Sequence, residues 1–329
     1  MKTAVVILNW NGKALLRKFL PSIIEHSQDA TIYVADNAST DDSISFIESD
    51  FPEVKIIRNK ENGGYAKGYN DALKHLEEDI FCLVNSDIEV TKNWLTPVID
   101  TFKTEDNTAI IQPKILDYKK KTYFEYAGAA GGFIDKYGYP YCRGRIFEEI
   151  EEDQGQYNDN TNIFWASGAC FFIRKEVFNA LNGFDESFFA HMEEIDLCWR
   201  AFNLGFTSKY VSQSIVYHIG GATLSKTNPK KTYLNFRNSL ATLTKNASGN
   251  LFVLLFTRLT LDGLAAIKFL FELKFAHIFA ILKAHISFYA MLPMLLKQRN
   301  MLKQKTNYYK TKSVVWSYFA TKNKYFTNL

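Results

Sequence analysis

The sequence has few cysteines and no cysteine pair that would mark a zinc site or a disulfide framework. Its four cysteines, Cys82, Cys142, Cys170 and Cys198, stand far apart and form no CxxC motif. Reduced thiols of a cytoplasmic protein are the simplest interpretation. The amino terminus also lacks the charged region and long apolar core of a signal peptide, which agrees with a cytoplasmic location.

Two common nucleotide-binding motifs are missing as well. The chain contains neither a GxGxxG turn after a strand nor a Walker lysine loop. Their absence disfavours the dinucleotide oxidoreductases and the P-loop NTPases. Any nucleotide site in this chain must therefore be built in another way.

Acidic residues are scarce near the carboxyl terminus. Residues 230–329 contain sixteen Lys and Arg residues but only two acids, Asp262 and Glu272, whereas residues 1–229 carry a net charge of −10. A basic segment of this kind suits an anionic membrane surface or nucleic acid. We expect no nucleic-acid partner, because the segment is rich in apolar residues and contains no reading motif.

The same segment lacks an uninterrupted apolar run of the ~18 residues that a spanning helix needs, so no transmembrane helix is expected. Its pattern is helical, and the stretches 251–271 and 275–296 combine Leu, Phe and Ile with basic residues. The pattern predicts amphipathic helices that lie on an anionic membrane. The alternatives are packing on the preceding domain or on a second subunit in a homodimer. We therefore divide the chain into domains 1–229 and 230–329.

The first hundred residues alternate between short apolar runs and helical patterns. Four such alternations predict an α/β fold with a mostly parallel sheet and helices on both faces. The predicted strands are 2–8, 31–35, 54–57 and 80–84, and the predicted helices are 14–26, 41–50 and 66–77.

Polar residues follow these strands where each one ends. Asp36 follows the second strand, and Asn85, Ser86 and Asp87 follow the fourth. In parallel sheets these ends lie at one edge, where ligands bind. Asp87 and its polar neighbours offer hard oxygen ligands for Mg²⁺ or Mn²⁺, which in turn can hold a diphosphate. An ordinary strand-ending turn is the alternative interpretation of these residue types.

Three further features suit a nucleotide at this edge. Trp10, after the first strand, can stack on a base, and Asp36 can accept a hydrogen bond from a base imide. The turn formed by Asn62, Gly63 and Gly64 lets the backbone approach a sugar or phosphate closely.

A helix over 193–204 begins with a group of acids. Asp196 and Arg200 are four residues apart and Glu193 shares their face, which predicts an ion cluster of these three residues. Glu194 points elsewhere and is left available for catalysis.

Together these motifs closely resemble the inverting family 2 glycosyltransferases of GT-A fold, and in particular their bacterial rhamnosyltransferase-like branch. The resemblance covers residue 2 to about Thr223. It rests on residues 5–11, 36–41, 62–70, 85–87 in place of the family's DxD motif, and 193–200.

The resemblance implies a dTDP- or UDP-linked sugar donor and a divalent metal, Mg²⁺ or Mn²⁺. Asp87 matches the metal-binding aspartate, and His218, in the motif 216–221, completes the metal site. Asn85 departs from the family's usual Asp and contributes no charge. The residues that the resemblance assigns to the donor site are Leu8, Trp10, Asp36, Asn62, Gly63, Gly64, Asn70 and Asn85.

For the catalytic base the family usually has Glu-Asp where this chain has Glu193-Glu194. Glu194 therefore matches the catalytic aspartate. Its extra methylene moves the carboxylate by about 1 Å, so Glu193 stays an alternative. The base would remove the proton from the attacking hydroxyl, while the metal would stabilise the departing diphosphate.

The expected function is a cytoplasmic, metal-dependent, inverting glycosyltransferase. It would dock on the inner face of the membrane and extend a lipid-linked surface polysaccharide. One alternative is a nucleotidyltransferase, although residues 9–12 lack the basic glycine-rich loop of that class. Another is a membrane-attached scaffold with a decayed site, which the departures at Asn85 and Glu194 suggest.

Overall fold

The computed structural model describes residues 1–220 and 228–329. The strands in this part of the chain are β1 (Thr3–Asn9), β2 (Thr31–Asp36), β3 (Lys55–Arg58), β4 (Ile80–Asn85), β5 (Ile88–Val90), β6 (Thr108–Asp117), β7 (Gly132–Ile134), β8 (Pro140–Cys142), β9 (Arg145–Ile146), β10 (Glu149–Ile150), β11 (Thr161–Ile163), β12 (Cys170–Arg174) and β13 (Thr207–His218). The helices are α1 (Lys13–His26), α2 (Ser43–Asp50), α3 (Gly64–Leu73), α4 (Thr96–Thr104), α5 (Lys175–Ala180), α6 (Glu193–Leu204), α7 (Pro229–Asn246), α8 (Leu251–Phe271), α9 (Phe275–Asn300) and α10 (Val314–Phe319), followed by a 3₁₀ turn at Phe326–Asn328. Gly221 and Thr223, which end the motif 216–221 and the resemblance, lie outside the described residues.

The main sheet has the strand order β11-β13-β6-β12-β4-β1-β2-β3. A short additional strand, β5, pairs with β13 but is not part of this linear order. β1 is parallel to both β2 and β4, and β2 is parallel to β3, so the predicted alternation of the first four strands with helices is confirmed. β12 runs antiparallel between β4 and β6. A smaller antiparallel sheet, β10-β9-β8-β7, lies within the segment that follows β6.

Helices cover both faces of the main sheet because its central strands are buried on both sides. In β1, Val6 belongs to the core cluster that contains Tyr69 of α3. Val5 and Ile7 belong to a second cluster, which contains Leu20 of α1. A strand buried on both faces has a continuous apolar sequence, which is why β1 was recognisable.

Residues 207–211 and 214–217 each have the sequence pattern of a separate strand, but both belong to a single strand, β13. It pairs with β6 along its length, with an irregularity in register between Val211 and Ile215. The polar residues 212–214 resemble a turn in sequence, but they form a bulge within β13, and β6 pairs with β13 on both sides of it.

α7 and the segments after it pack on the sheet domain. Leu243 and Tyr308 are part of the main core cluster. The Nζ atom of Lys245 lies 2.6 Å from Oδ2 of Asp185 and 3.0 Å from Oδ1 of Asp196, and all three side chains are nearly inaccessible to solvent. Buried charges of this kind must be paired, so α7 is an integral part of the core. The domain boundary at 229/230 stays a prediction.

α8 and α9 also carry many exposed apolar side chains. Nine of those that are at least half exposed are Phe252, Phe256, Leu264, Ile267, Phe271, Phe275, Phe279, Leu282 and Ile286. We call residues 230–329 the extension and these nine residues the apolar face of the extension. The basic, apolar pattern of the segment is therefore visible as an exposed surface.

The expectation that no segment reaches the length of a spanning helix is wrong for α9. By length and composition alone, α9 is long and apolar enough to cross a membrane. The reason is that Lys283 is the only Lys, Arg, Asp or Glu residue between 275 and 296. His277 and His285 also interrupt the apolar run, but the mean hydropathy of α9 stays high enough for a spanning helix. α9 nevertheless buries Ile281 and Phe288 inside the protein.

Candidate active site

The carboxyl ends of β1, β2 and β4 bring the predicted polar residues to one edge of the sheet. In the parallel register, Leu8 of β1 pairs with Asn85 of β4, and Asn9 pairs with Asp36 of β2. Trp10 follows directly and is 56% exposed. Residues from three strands thus meet where ligands bind in α/β sheets.

Asp36 ties together the loops that follow β1 and β2. Its Oδ1 accepts hydrogen bonds from Nδ2 of Asn9 at 3.0 Å and Oγ of Ser39 at 2.5 Å, and its Oδ2 accepts one from the Ser39 backbone at 2.9 Å. The Oδ1 atom of Asn11 accepts from the Thr40 backbone at 2.7 Å. Because a carboxylate oxygen can accept two hydrogen bonds, Oδ2 of Asp36 retains capacity for a ligand N–H.

The glycine turn before α3 packs against another part of the protein. We define the α5–α6 loop as residues 181–192. Gly64 has φ +77°, and a Cβ built on it would lie 2.4 Å from the carbonyl oxygen of Phe189 in this loop. The Tyr65 N–H donates to the same carbonyl at 3.1 Å. Asn62 accepts from the Gly64 N–H at 3.0 Å, and Gly63 lies against the side chain of Lys67. The close approach that requires glycine at 64 is therefore to protein backbone.

Asn70 lies within α3 and its amide contacts the same loop. Its Nδ2 donates to the Phe184 carbonyl at 2.9 Å and to Oε1 of Glu186 at 3.0 Å, while its Oδ1 accepts from the Phe184 N–H at 2.9 Å. This contact differs from the donor-site role expected for Asn70. Its position well inside the helix turns the side chain toward the α5–α6 loop, away from the strand ends.

Asp87 and His218 meet beside the end of β4 because β5 pairs with the last residues of β13. Nε2 of His218 lies 3.1 Å from Oδ1 of Asp87, and its Nδ1 lies 3.4 Å from Oε1 of Glu125. Burial opposes the charged imidazole, but the nearby carboxylates of Asp87 and Glu125 outweigh it and raise the pKa of His218 to about 10. The three side chains form a compact, buried acid–base group.

Sequence reasoning misses Glu125, which precedes the glycine-rich segment after β6. The carboxylate accepts a hydrogen bond from the Ala127 N–H at 2.5 Å, and this fixes its direction toward His218. A carboxylate on one imidazole nitrogen orients the other nitrogen as a metal ligand. The only signal in the sequence is a single acid among aromatic and small residues.

The donor set suits a divalent cation that is shared with a ligand. Within residues 1–220 and 228–329, no group of three His, Cys, Asp or Glu side chains is arranged to hold a metal ion by itself. Asp87 and His218 supply one oxygen and one nitrogen, and Asn85 adds a neutral amide. Cations such as Mg²⁺ are often held by one or two carboxylates together with substrate phosphates and water, so the residues present fit such a group.

Glu194 is half-buried at the start of α6, and its Oε2 atom is buried with no hydrogen-bond partner among the described residues. Burial raises the pKa of Glu194 to about 7, although the nearby backbone N–H groups of Gly168, Met192 and Ile195 favour the charged form. A carboxylate with such a pKa and an unpartnered oxygen is suited to accept a proton near neutral pH.

Glu193 lies deeper in the protein, with 4% of its surface exposed. Burial, together with the charge of Glu194, holds the pKa of Glu193 well above its usual range. At neutral pH Glu193 is therefore the protonated member of the pair. The lower pKa and the smaller degree of burial favour Glu194 as the base.

The ion cluster on α6 forms without Glu193. Nε of Arg200 donates to Oδ2 of Asp196 at 2.8 Å, and Lys245 of α7 provides the second cation. The part of the chain that the structure describes contains no ion pair to Glu193, so the prediction that it joins the cluster is wrong. The helical spacing was right, but a lysine distant in sequence supplies the contact with Asp196.

Residues 167–169 connect the two halves of the site. The Asn85 N–H donates to the Ala169 carbonyl at 2.9 Å, beside the turn that holds Asp87. The neighbouring Gly168 lies against Glu194, whose Cδ would be 3.7 Å from a Cβ built on this glycine, and the Gly168 carbonyl accepts from the Tyr65 hydroxyl at 2.8 Å. The candidate base and the candidate metal turn are thus held by adjacent residues.

Comparison with known sequences gives one family. The family model described as Glycosyl transferase family 2 matches residues 4–181. An N-acetylglucosaminyl-diphospho-decaprenol L-rhamnosyltransferase of Mycobacterium tuberculosis is 24% identical over 230 residues, which cover 65% of this chain and 75% of that protein. The low-salt glycan biosynthesis hexosyltransferase Agl10 of Haloferax volcanii is 24% identical over 291 residues, 84% of this chain and 87% of that protein.

Solved structures show the same fold. GalNAc-T7 with UDP, GalNAc and Mn²⁺ superposes with a TM-score of 0.58 at 16% identity, over 75% of this chain but about half (48%) of the GalNAc-T7 chain. The mannosyltransferase PcManGT of Pyrobaculum calidifontis, with GDP-Man and Mn²⁺, superposes with a TM-score of 0.54 at 12% identity, over 88% of this chain and 75% of that one. The expected GT-A architecture with a helical extension is confirmed.

Replacing Gly64 with alanine should destabilise the protein beyond the cost of its backbone conformation. An L-residue in the left-handed region costs about 1–2 kcal/mol, and the added Cβ would also displace the Phe189 carbonyl. We expect Gly64→Ala to lower the free energy of unfolding by about 3 kcal/mol, measured by urea titration.

Gly249→Ala is the matched control. Gly249 has φ +99°, and nothing lies within 4 Å of a Cβ built on it. Its replacement should carry the conformational cost alone, about 1 kcal/mol. Equal losses in the two variants would contradict the packing of Gly64 on the α5–α6 loop.

Proposed function

The chain belongs to glycosyl transferase family 2, and from this premise we propose an inverting enzyme that transfers a sugar from a dTDP- or UDP-linked donor to a hydroxyl of a lipid-linked glycan. One observation carries the proposal. The carboxyl of Glu194, whose Oε2 is buried and unpartnered among the described residues, lies against Gly168, and the next residue, Ala169, accepts a hydrogen bond from Asn85 beside the turn that holds Asp87. A proton acceptor and a diphosphate site at fixed separation are what inversion at an anomeric carbon requires.

In this proposal the nucleotide lies across the ends of β1 and β2. The exposed indole of Trp10 stacks on the base, Leu8 packs against it, and Oδ2 of Asp36 accepts a hydrogen bond from the base imide. Asn85 contributes its amide to the ribose or to a metal-bound water. Asn62, Gly63 and Gly64 shape the adjacent wall through their contact with the α5–α6 loop.

The proposed metal site consists of Asp87 and His218, with Glu125 orienting the imidazole. GalNAc-T7 and PcManGT were both solved with Mn²⁺, which supports Mn²⁺ or Mg²⁺ as the cofactor. When bound, a divalent cation supplies positive charge that stabilises the leaving diphosphate. Asp87 and Nε2 of His218 would hold the cation, and the imidazole would have to lose its proton to serve as a ligand.

Glu194 is the proposed base. Its Oε2 takes the proton from the acceptor hydroxyl while that oxygen attacks the anomeric carbon from the face opposite the diphosphate. Glu193 stays protonated, which spares Glu194 a second buried negative charge. The low-dielectric surroundings keep the pKa of Glu194 close to the working pH, where a base is most effective.

The lipid-linked acceptor is supported by two independent features. The Mycobacterium tuberculosis relative is named for a diphospho-decaprenol substrate, and the Haloferax volcanii relative for glycan biosynthesis. The apolar face of the extension, in a segment with sixteen Lys and Arg residues, suits the surface of an anionic membrane. We therefore propose a peripheral enzyme on the cytoplasmic side of the membrane, where lipid-linked glycans present their polar ends.

The assignment of the base predicts a difference between two isosteric variants. Glu194→Gln should lower kcat by about 10³-fold and leave nucleotide affinity unchanged, because only proton transfer is lost. Glu193→Gln should lower kcat less than about tenfold, since Glu193 is already protonated. The measurement is release of the nucleoside diphosphate from each candidate sugar donor in the presence of a glycolipid acceptor. An active Glu194→Gln enzyme beside an inactive Glu193→Gln enzyme would transfer the role to Glu193.

The raised pKa of Glu194 also sets the pH dependence. The base acts in its ionised form, so the kcat of the wild-type enzyme should rise with pH through about 7 and level off above it. A kcat that is flat from pH 5 to 8 would contradict an essential base in this environment.

The membrane proposal predicts binding to anionic vesicles that weakens with salt. Sedimentation with phosphatidylglycerol vesicles at low ionic strength should recover most of the protein, and the double change Phe271→Ser and Phe279→Ser should reduce recovery severalfold. Leu204→Ser is the control, because Leu204 is 51% exposed but lies on α6, outside the extension. Absence of binding at low ionic strength would contradict the proposal and favour a second subunit as the cover of this surface.

A further inference from the structure

α7 holds the α5–α6 loop through the carbonyl groups of the loop. Nδ2 of Asn238 donates to the carbonyls of Ala190 at 2.9 Å and His191 at 2.7 Å. Nη2 of Arg237 donates to the Ser187 carbonyl at 3.0 Å. Asn238 is completely buried, so these hydrogen bonds are not exchanged with water.

The orientation of the Asn238 amide is fixed from its other side. Nε of Arg237 donates to Oδ1 of Asn238 at 2.8 Å. Since Oδ1 accepts from the guanidinium, Nδ2 with its two hydrogens must face the loop. Each hydrogen then meets one of two consecutive carbonyl groups.

These carbonyls flank an unusual stretch of backbone. His191 and Met192 have φ values of +68° and +73°, and an L-residue in this region costs about 1–2 kcal/mol. Two such residues in succession persist only where their surroundings hold them. Asn238 provides hydrogen bonds at the start of this stretch, and the Asp196 N–H donates to the Met192 carbonyl at 2.8 Å at its end.

The strained stretch leads directly into α6 and therefore sets where Glu194 points. Met192 is the residue that precedes the helix, and its carbonyl accepts the hydrogen bond of the first helical turn from Asp196. A change in the conformation of residues 190–192 would therefore move the first turn of the helix, which carries Glu194. The carbonyls of Ala190 and His191 are thus mechanically coupled to the candidate base.

We propose that Asn238 is a positioning residue for catalysis, which holds His191 and Met192 in the left-handed conformation that aims the Glu194 carboxylate. The inference rests on the proposed role of Glu194 as base. It makes the carboxyl-terminal extension part of the catalytic machinery, because Asn238 belongs to α7. Asn238 itself contacts loop backbone and acts through it.

The test compares Asn238→Asp with a control on the same helix. Aspartate has nearly the same shape but cannot donate to the two carbonyls when ionised. Thr242→Val is the control, because Thr242 is buried in α7 and its hydroxyl has no hydrogen-bond partner among the described residues. Arg237→Met is a second variant. Arg237 is partly exposed, and its replacement removes the hydrogen bond to Oδ1 of Asn238 without placing a charge in the core.

For full-length Asn238→Asp we expect kcat to fall by about 10²-fold, the size of effect that a displacement of about 1 Å produces. The donor KM and the calorimetric affinity for the nucleoside diphosphate should change less than about twofold, because the side-chain hydrogen bonds of Asn238 go to Ala190, His191 and Arg237 and not to the strand ends. Arg237→Met should show the same split with a smaller fall in kcat, and Thr242→Val should match the wild type. A residue that served only folding would lower the folded fraction and leave kcat per nucleotide-binding site unchanged.

The outcomes separate this inference from the proposed function. If the wild-type enzyme transfers sugar and both Asn238→Asp and Arg237→Met retain full kcat per binding site, the positioning role is wrong while the proposed function stands. A parallel loss of kcat and nucleotide affinity would also overturn it, since the defect would then extend beyond the base. If the wild-type enzyme transfers no sugar from any donor, the proposed function itself fails.

Discussion

Backbone contacts of two consecutive residues, Gly168 and Ala169, join the two ends of the candidate site. Ala169 accepts a hydrogen bond from the Asn85 N–H next to the turn that holds Asp87, and Gly168 lies against the Glu194 carboxyl on α6. Because these are main-chain contacts at the start of β12, they inherit the rigidity of the central sheet. A transferase that inverts an anomeric centre needs its proton acceptor and its diphosphate site at a constant distance, and the sheet provides that distance.

Burial disfavours the charged form of the ionisable groups at both ends of the site, which lowers the pKa of a histidine and raises the pKa of a glutamate. At the metal turn it disfavours the charged imidazole of His218, and the acids Asp87 and Glu125 overcome the cost. At the start of α6 no cation offsets the burial of Glu193 and Glu194 among the described residues, so both pKa values rise. The first environment is suited to bind a cation, and the second is suited to move a proton. The fold thus creates two different chemistries from the same kind of side chain.

The sequence reveals those parts of the fold and site that local signals encode. β1 and β4 are continuous apolar runs, and the polar residues that end them meet because parallel strands share an edge. Glu125 and Asn238 leave no comparable signal, because their partners, His218 and the carbonyls of Ala190 and His191, lie far away in the chain. The roles of these two residues depend on tertiary packing, which the local sequence does not encode.

The spacing of residues in a motif does not reveal their tertiary contacts. Gly64 and Asn70 fall within a motif expected to touch the donor, and the structure shows that both also contact the α5–α6 loop. Glu193 has the helical spacing of an ion cluster, but Lys245 supplies the cation contact with Asp196. The most direct test of the central claim is calorimetric titration of wild type and Asp87→Ala with UDP, dTDP and GDP, with and without Mn²⁺. Mn²⁺-dependent binding of UDP or dTDP that Asp87→Ala abolishes is the predicted result, and no binding of any nucleotide by the wild type would contradict a sugar-nucleotide site at this edge.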